Sequence, residues 1–172
     1  MKYLNFEKEQ IEFTPIILYM EYINLQYNHY LKENFKEITY GDSTYLMNIF
    51  FHENISQREL ADLLFVSESN VAQIIKRLEK KDFIYRELDS NNKSKKVLKL
   101  TKKGKFTVFS LLKVIYEGET KLLDKYGEED IKKFKQMLYD YSNIAARDRA
   151  DIQYIELDGS TGKNLDCLSL MN

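Results

Sequence analysis

The chain has 172 residues, 31% of them charged, with a net charge of −1 and one cysteine. That length suits one domain or two small ones sharing a core, and it buries roughly 70% of the unfolded surface. No apolar run approaches the ~18 residues of a membrane-spanning helix, the N-terminus lacks a secretory apolar stretch, and a lone Cys167 cannot close an internal disulfide, so a reducing cytoplasm is the expected setting.

One proline and six glycines predict long uninterrupted helices. The first spans about 11–34, with Ile16, Met20, Ile23, Tyr27 and Tyr30 or Leu31 at helical spacing. Pro15 fits its first turn and Thr14 its cap. Gly41-Asp42-Ser43 reads as a turn and a cap for a helix at about 44–52, which buries Leu46, Ile49 and Phe50 and is broken at Asn54. Ser56 and Glu59 then form a capping box for a helix packed through Leu60, Ala61, Leu63 and Leu64. After Phe65-Val66, Ser67 caps a helix to about residue 80. Its stripe of Val71, Ile74, Ile75 and Leu78 is set for burial, and Ser69, Asn70, Gln73, Lys76, Arg77 and Lys80 form the opposite, polar face. Residues 84–88 and 97–100 read as paired strands around the turn chemistry of Asp89 to Ser94. Thr101 caps a long helix to about 126, Gly127 ends it, and a last helix runs to about 149 with Ile131, Phe134, Leu138, Tyr141 and Ile144 or Ala145 on one face. Residues 151–172 lack a period and are expected to be a weakly ordered tail, with a short extended piece at 152–157.

This order is mainly α (α+β): a helix-turn-helix with a two-stranded β-hairpin wing, flanked by long N- and C-terminal helices. Charge follows the same division. Residues 56–105 hold thirteen Lys/Arg against seven Asp/Glu, a surplus of six, and the rest of the chain carries a deficit of seven. The positive island lies where a nucleic-acid contact would need it.

The open face of helix 67–80 has a specific chemical use. The major groove of B-DNA admits one helix, and Asn and Gln pair bidentately with adenine. Ser69, Asn70 and Gln73 therefore suit base edges, and Lys76, Arg77 and Lys80 suit phosphates. Residues 90–105 add seven lysines and no acid, which repel one another unless an anion lies against them. The alternative to a DNA contact is a winged-helix module for protein partners, in which this face would be apolar; here it is polar and basic.

At these residues the chain resembles the MarR family of winged-helix transcriptional regulators. The likeness runs from Ser56-Gln57-Arg58-Glu59-Leu60-Ala61 through Val66-Ser67 and Val71, on through Leu78 to Arg86 and Asp89, and ends at Leu100-Thr101-Lys102-Lys103-Gly104. With the flanking helices it covers about 10–150. The resemblance implies a sequence-specific, double-stranded DNA-binding regulator, by default a repressor, acting as a homodimer on palindromic operators. The implied organisation is a winged module at 44–104, a helical dimerisation region at 7–43 plus 105–150, and the tail. The aromatic density of the first helix (Phe13, Tyr19, Tyr22, Tyr27, Tyr30) independently suggests a partner surface. The DNA-facing set then comprises Ser56, Gln57, Ser67, Ser69, Asn70, Gln73, Lys76, Arg77, Lys80, Arg86, Lys93, Lys95 and Lys96. A small aromatic or anionic effector, common in such a family, has Tyr19, Tyr22, His29, Tyr45 and Phe50 as candidate lining. No metal or other cofactor is expected, because His29, His52 and Cys167 make no spaced ligand motif. No phosphate loop or nucleophile motif points to an enzyme.

Three departures from the family pattern carry expectations. Phe65 and Asp82 stand where the family often has glycine, and phenylalanine enters the left-handed region reluctantly, so a different turn is expected at Phe65. The wing segment Asp89-Ser90-Asn91-Asn92-Lys93-Ser94 lacks the family's arginines. Lysine is a strongly hydrated point charge less suited to a narrow minor groove, so phosphate contacts should dominate, with Lys93 and Lys95 contributing to the salt dependence.

Overall fold

The computed structural model describes residues 14–146 and contains five helices and one hairpin in the order α1 (Ile16–Asn34), α2 (Tyr40–Phe51), α3 (Gln57–Leu64), α4 (Glu68–Lys80), β1 (Ile84–Leu88), β2 (Lys96–Leu100) and α5 (Lys102–Ala146). The expected tail, its extended piece at 152–157, Phe13 and Cys167 lie outside the described residues. Contacts divide the chain into two compact units, Met1–Glu117 and Gly118–Asn172. Among the described residues, no helix is long and apolar enough to cross a membrane.

Two helix starts differ from the sequence reading. Helix α1 follows Pro15, whose φ of −57° leads into the helix, and no side chain caps it; Thr14 is not the cap. Helix α2 begins four residues earlier than the expected 44. Thr39 is its cap, and Gly41, Asp42 and Ser43 are helical rather than a turn. The Thr39 Oγ1 accepts from the Asp42 N–H at 3.1 Å, and the Asp42 carboxylate accepts from the Thr39 N–H at 2.9 Å. This reciprocal box satisfies two otherwise orphaned donors, which outweighs the cost of a helical glycine.

The other starts are as read. Ser56 and Glu59 make the capping box of α3, Ser67 caps α4, and the Thr101 hydroxyl accepts from the Gly104 N–H at 3.0 Å. Helices α3 and α4 each end on a residue in the left-handed region, Phe65 (φ 54°) and Asp82 (φ 60°). In both cases the next N–H reaches back five residues, Val66 to the Ala61 carbonyl at 3.1 Å and Phe83 to the Leu78 carbonyl at 3.0 Å. These are Schellman ends. Phe65 thus adopts the conformation that glycine would supply, and the expected different turn is not found. Two end carbonyls are satisfied against a left-handed cost of roughly 1–2 kcal/mol.

The hairpin is antiparallel, with Ile84 opposite Leu100 and Leu88 opposite Lys96. Strand β2 also donates from Leu98 to the Ile55 carbonyl at 2.9 Å, which ties the wing to the segment before α3. The core of the first unit gathers Leu46 and Ile49 of α2, Leu60 of α3, Val71, Ile75 and Leu78 of α4, Ile84 and Leu98 of the hairpin, Leu31 of α1, and Val108, Leu111 and Leu112 of α5. The period of α4 therefore does what its pattern predicts: Val71, Ile75 and Leu78 are buried, with Ile74 half-buried beside them, and the opposite face is exposed. Helix α1 is different. Only Leu31 is fully buried, whereas Ile23 and Leu25 are 64% and 61% exposed.

In the second unit, Gly127 (φ 80°, ψ 165°) interrupts α5. Glu119 and Lys135 form an ion pair across it. Sixteen residues of unbroken helix would separate them by about 24 Å, so the chain reverses at Gly127. Ile131 is buried, while Phe134 and Ile144 of the expected face are exposed.

Candidate nucleic-acid interface

The N-terminal half of α4 presents short polar side chains because its first turn is held from below. The Ser67 Oγ accepts from the Asn70 N–H at 3.3 Å and lies 3.0 Å from the Ser69 Oγ. Ser67, Ser69, Asn70 and Gln73 are exposed. Lys76 and Lys80 continue the same exposed face. Ser56 and Gln57 at the start of α3 are half-buried, and the Gln57 amide donates to the Glu68 carbonyl at 3.5 Å, linking the two helix N-termini. Gln57 is thereby turned toward the first turn of α4.

Other basic residues singled out in the sequence are engaged within the chain. Arg77 pairs with Asp42, Arg86 with Glu79 at 3.0 Å, and Lys95 with Glu59 at 2.7 Å. Lys99 donates to the Asn54 side chain at 2.7 Å, and Lys103 pairs with Glu37 while sitting 4.4 Å from the centre of the Phe83 ring. The seven lysines of 90–105 are therefore not uniformly in want of an outside anion, because carboxylates brought from α3 and the α1–α2 connection neutralise part of the run. The Lys93 and Lys96 side chains are exposed on the wing and, among the described residues, their ammonium groups have no hydrogen bond or ion pair within the chain.

The wing's tip is ordered by two side chains. Asp89 is buried, and its Oδ1 accepts from the Asn91 and Asn92 N–H groups at 2.7 and 2.9 Å. The Asn92 Oδ1 accepts from the Ser94 N–H and hydroxyl at 3.1 and 2.6 Å. Lys93 is thus carried on a turn with fixed backbone, which lowers the ordering cost of a contact at its ammonium.

Two carboxylates are perturbed in this region. Burial works against ionisation of Asp42, but hydrogen bonds from Arg77 and Thr39 outweigh it and hold the carboxyl below its ordinary range. The Lys95 ammonium lowers Glu59, with Ser56 helping and partial burial opposing. Both are therefore charged near neutrality, and their cationic partners are bound.

The residues proposed to line an effector site are dispersed. Tyr19, Tyr22 and His29 share one side of α1, where His29 is exposed and 3.3 Å from Glu33. On α2, Tyr45 is core, and burial raises its hydroxyl pKa although Arg77 nearby opposes this. Phe50 is five residues on, roughly 140° around the helix, and stacks edge-on against Phe51 and Phe109. Tyr45 and Phe50 thus point to different sides. Among the described residues, no three His, Cys, Asp or Glu side chains gather as a metal site.

In the sequence Asp42 reads as part of a turn, although the pattern Thr39-x-x-Asp42 marks a capping box. The roles of Glu37 and Asn54 as lysine partners are not legible there, because Lys103 and Lys99 lie 66 and 45 residues away and leave no local signal.

Comparison with known proteins places these features in company. The MarR family model matches residues 38–96. A curated relative, the uncharacterized HTH-type transcriptional regulator YybA of Bacillus subtilis, is 32% identical over 113 residues, covering 65% of this chain and 75% of its own. The HTH-type transcriptional regulator SarZ of Staphylococcus aureus is 24% identical over 69% of this chain and 82% of its own. Among solved structures, MarR superposes with a TM-score of 0.64 at 26% identity, covering 81% of this chain and 96% of that one. The S. aureus MepR–DNA complex superposes with a TM-score of 0.63 at 20% identity, covering 81% and 99%.

Proposed function

The chain belongs to the MarR family of transcriptional regulators, and from that membership we propose that it binds operator DNA sequence-specifically as a homodimer and represses the genes beside it. The observation that carries this reading is α4: its apolar stripe is sealed in the core, and the opposite face offers exposed Ser69, Asn70, Gln73, Lys76 and Lys80. The first three suit base edges in the major groove, and the lysines suit the flanking phosphates. Ser56, Gln57 and Ser67 stand at helix N-termini, where backbone and hydroxyl groups favour a phosphate. Lys93 and Lys96 extend the contact from the wing, with Lys95 and Arg86 beside them in intramolecular ion pairs. MepR, of the same fold, has been solved as a DNA complex.

The winged module at 44–104 then reads DNA, and the flanking regions 7–43 and 105–150, of which 14–43 and 105–146 are described, pair two copies. Exposed Ile16, Ile17, Ile23 and Leu25 on α1 supply apolar surface for this. Two-fold pairing sets the recognition helices about one DNA turn apart and calls for palindromic half-sites. The setting is the cytoplasm. Of the candidate lining for a small aromatic or anionic effector, Tyr19, Tyr22 and His29 share one side of α1 and are the part of the proposed site that stays together, whereas Tyr45 and Phe50 point elsewhere.

Binding to double-stranded fragments selected from the organism's own genome, followed over a salt series, tests the proposal. Lys76, Lys80, Lys93 and Lys96 give eight phosphate contacts per dimer, so log Kd should rise with log salt with a slope of about 7. Lys93→Ala/Lys96→Ala should reduce that slope by about 3.6, whereas Lys95→Ala, which mainly releases Glu59, should leave it nearly unchanged. Binding insensitive to salt overturns the proposal. For the dimer, light scattering at micromolar concentration should give twice the chain mass for the wild type, and Ile23→Glu should shift it toward monomer; a monomeric wild type refutes the pairing.

A further inference from the structure

We infer that Arg77 serves DNA binding as a positioning residue, fastening the recognition helix to the first turn of α2 through Asp42, and not as a ligand for phosphate. The inference rests on the DNA-binding reading above and assigns Arg77 a different task from Lys76 and Lys80 on the same helix.

Asp42 is 0% exposed. Its Oδ2 accepts from the Thr39 N–H at 2.9 Å and from the Thr39 hydroxyl at 3.0 Å, within its own capping turn. Its Oδ1 accepts from the Arg77 Nη2. A carboxylate without access to water must have its charge balanced by the protein, and for Oδ1 that balance comes from Arg77. If the guanidinium left for a phosphate, a buried negative charge would remain uncompensated, a far larger penalty than the gain from one exposed phosphate contact. Arg77 is therefore committed to Asp42 although its side chain is 45% exposed. Lys76 and Lys80 have no ion pair within the described chain, so they are the helix's cations for phosphate.

A second tie supports the same geometry. The Lys81 ammonium donates to the Glu37 carbonyl at 2.6 Å, and Lys103 joins the Glu37 carboxylate to the Lys81 carbonyl. The segment from Glu37 to Asp42 thus grips the C-terminal end of α4 at two points, Arg77 in its last turn and Lys81 just past it. The base-reading side chains are at the other end of the helix. A small tilt about the held end displaces Ser69, Asn70 and Gln73, so the clamp governs how they meet base edges.

Salt-dependent affinity for a genome-selected double-stranded site tests this in wild type, R77Q, D42N, the D42N/R77Q double variant and K76A, each measured below its own melting temperature. R77Q and D42N are each expected to weaken binding about tenfold at unchanged salt slope. The double variant should be no weaker than the weaker single, because both break one link. K76A should lower the slope by about 1.8 per dimer. A slope reduced in R77Q as in K76A shows Arg77 on a phosphate and overturns the inference. So does tighter binding with a steeper slope in D42N, which would mean that Asp42 withholds the arginine. Unchanged affinity in a destabilised R77Q also overturns it, leaving a role in stability alone. Should R77Q not fold, D42N decides between the same outcomes. A wild type without salt-dependent DNA binding removes the functional reading itself, a result distinguishable from all of these.

Discussion

Replacing Gly104 with alanine is expected to cost the fold about 3 kcal/mol or more, whereas the same change at Gly118 should stabilise it by up to about 1 kcal/mol. Both glycines lie in α5, so helix propensity favours alanine at each. The surroundings decide the sign. A Cβ at Gly104 would fall 2.0 Å from the Phe83 carbonyl oxygen and 3.1 Å from its carbon. That carbonyl cannot swing aside, because it accepts from the Thr101 N–H at 3.0 Å and from the Thr101 hydroxyl at 3.2 Å. The start of β1 and the start of α5 would have to separate, and the Thr101 cap would be lost with them, at about 1 kcal/mol by itself. At Gly118 a Cβ meets nothing within 4 Å. Urea midpoints of the two variants measure the difference. A G104A midpoint within error of the wild type would show that the strand and helix part easily, against the packing described.

The sequence is legible where the signal is local. Ser56 and Glu59 announce α3 three residues apart. The stripe Val71, Ile75 and Leu78 separates the buried from the open face of α4, because a period of 3.6 leaves little choice. The strands declare themselves on either side of the turn residues Asp89 to Ser94. Legibility fails where the deciding partner is remote. Lys95, Lys99 and Lys103 read as a repelling cluster because Glu59, Asn54 and Glu37 lie 36 to 66 residues away. Arg77 reads as one more cation of the recognition helix because Asp42 is 35 residues earlier. Phe65 misleads for a different reason. Residue type argues against the left-handed region, but a six-residue Schellman end with two backbone hydrogen bonds determines the conformation, and type preference is the smaller term. The candidate site was thus readable as a face and a wing, while the division of its cations between DNA and the protein's own carboxylates was not.

That division makes acid stability the sharpest test of Asp42 apart from DNA. Its folded pKa lies below the ordinary value, despite burial, because Arg77 and Thr39 hold the ionised form. A lowered folded pKa means that the unfolded chain takes up the proton first. The stabilisation from Asp42 is therefore fully present above the unfolded value of about 3.9. It is lost as the pH falls below that value and through the lower folded one. Glu59 acts in the same direction, since Lys95 holds it ionised, but its exposed pair is screened by solvent and contributes little. Asp42→Asn keeps the shape and polarity of the side chain and removes the charge. At pH 7 it should cost about 2–3 kcal/mol, the range for a lost hydrogen bond to a charged group with its cap weakened; the half-exposed Arg77 recovers water and limits the loss. Below about pH 4 the difference should shrink, because the wild type is then losing the same charge. Unfolding free energies of the two proteins between pH 7 and pH 2 should therefore converge toward the acid end. Curves that stay parallel across that range would mean that the Asp42 carboxylate, and with it the fastening of Arg77, does not contribute to the fold through its charge.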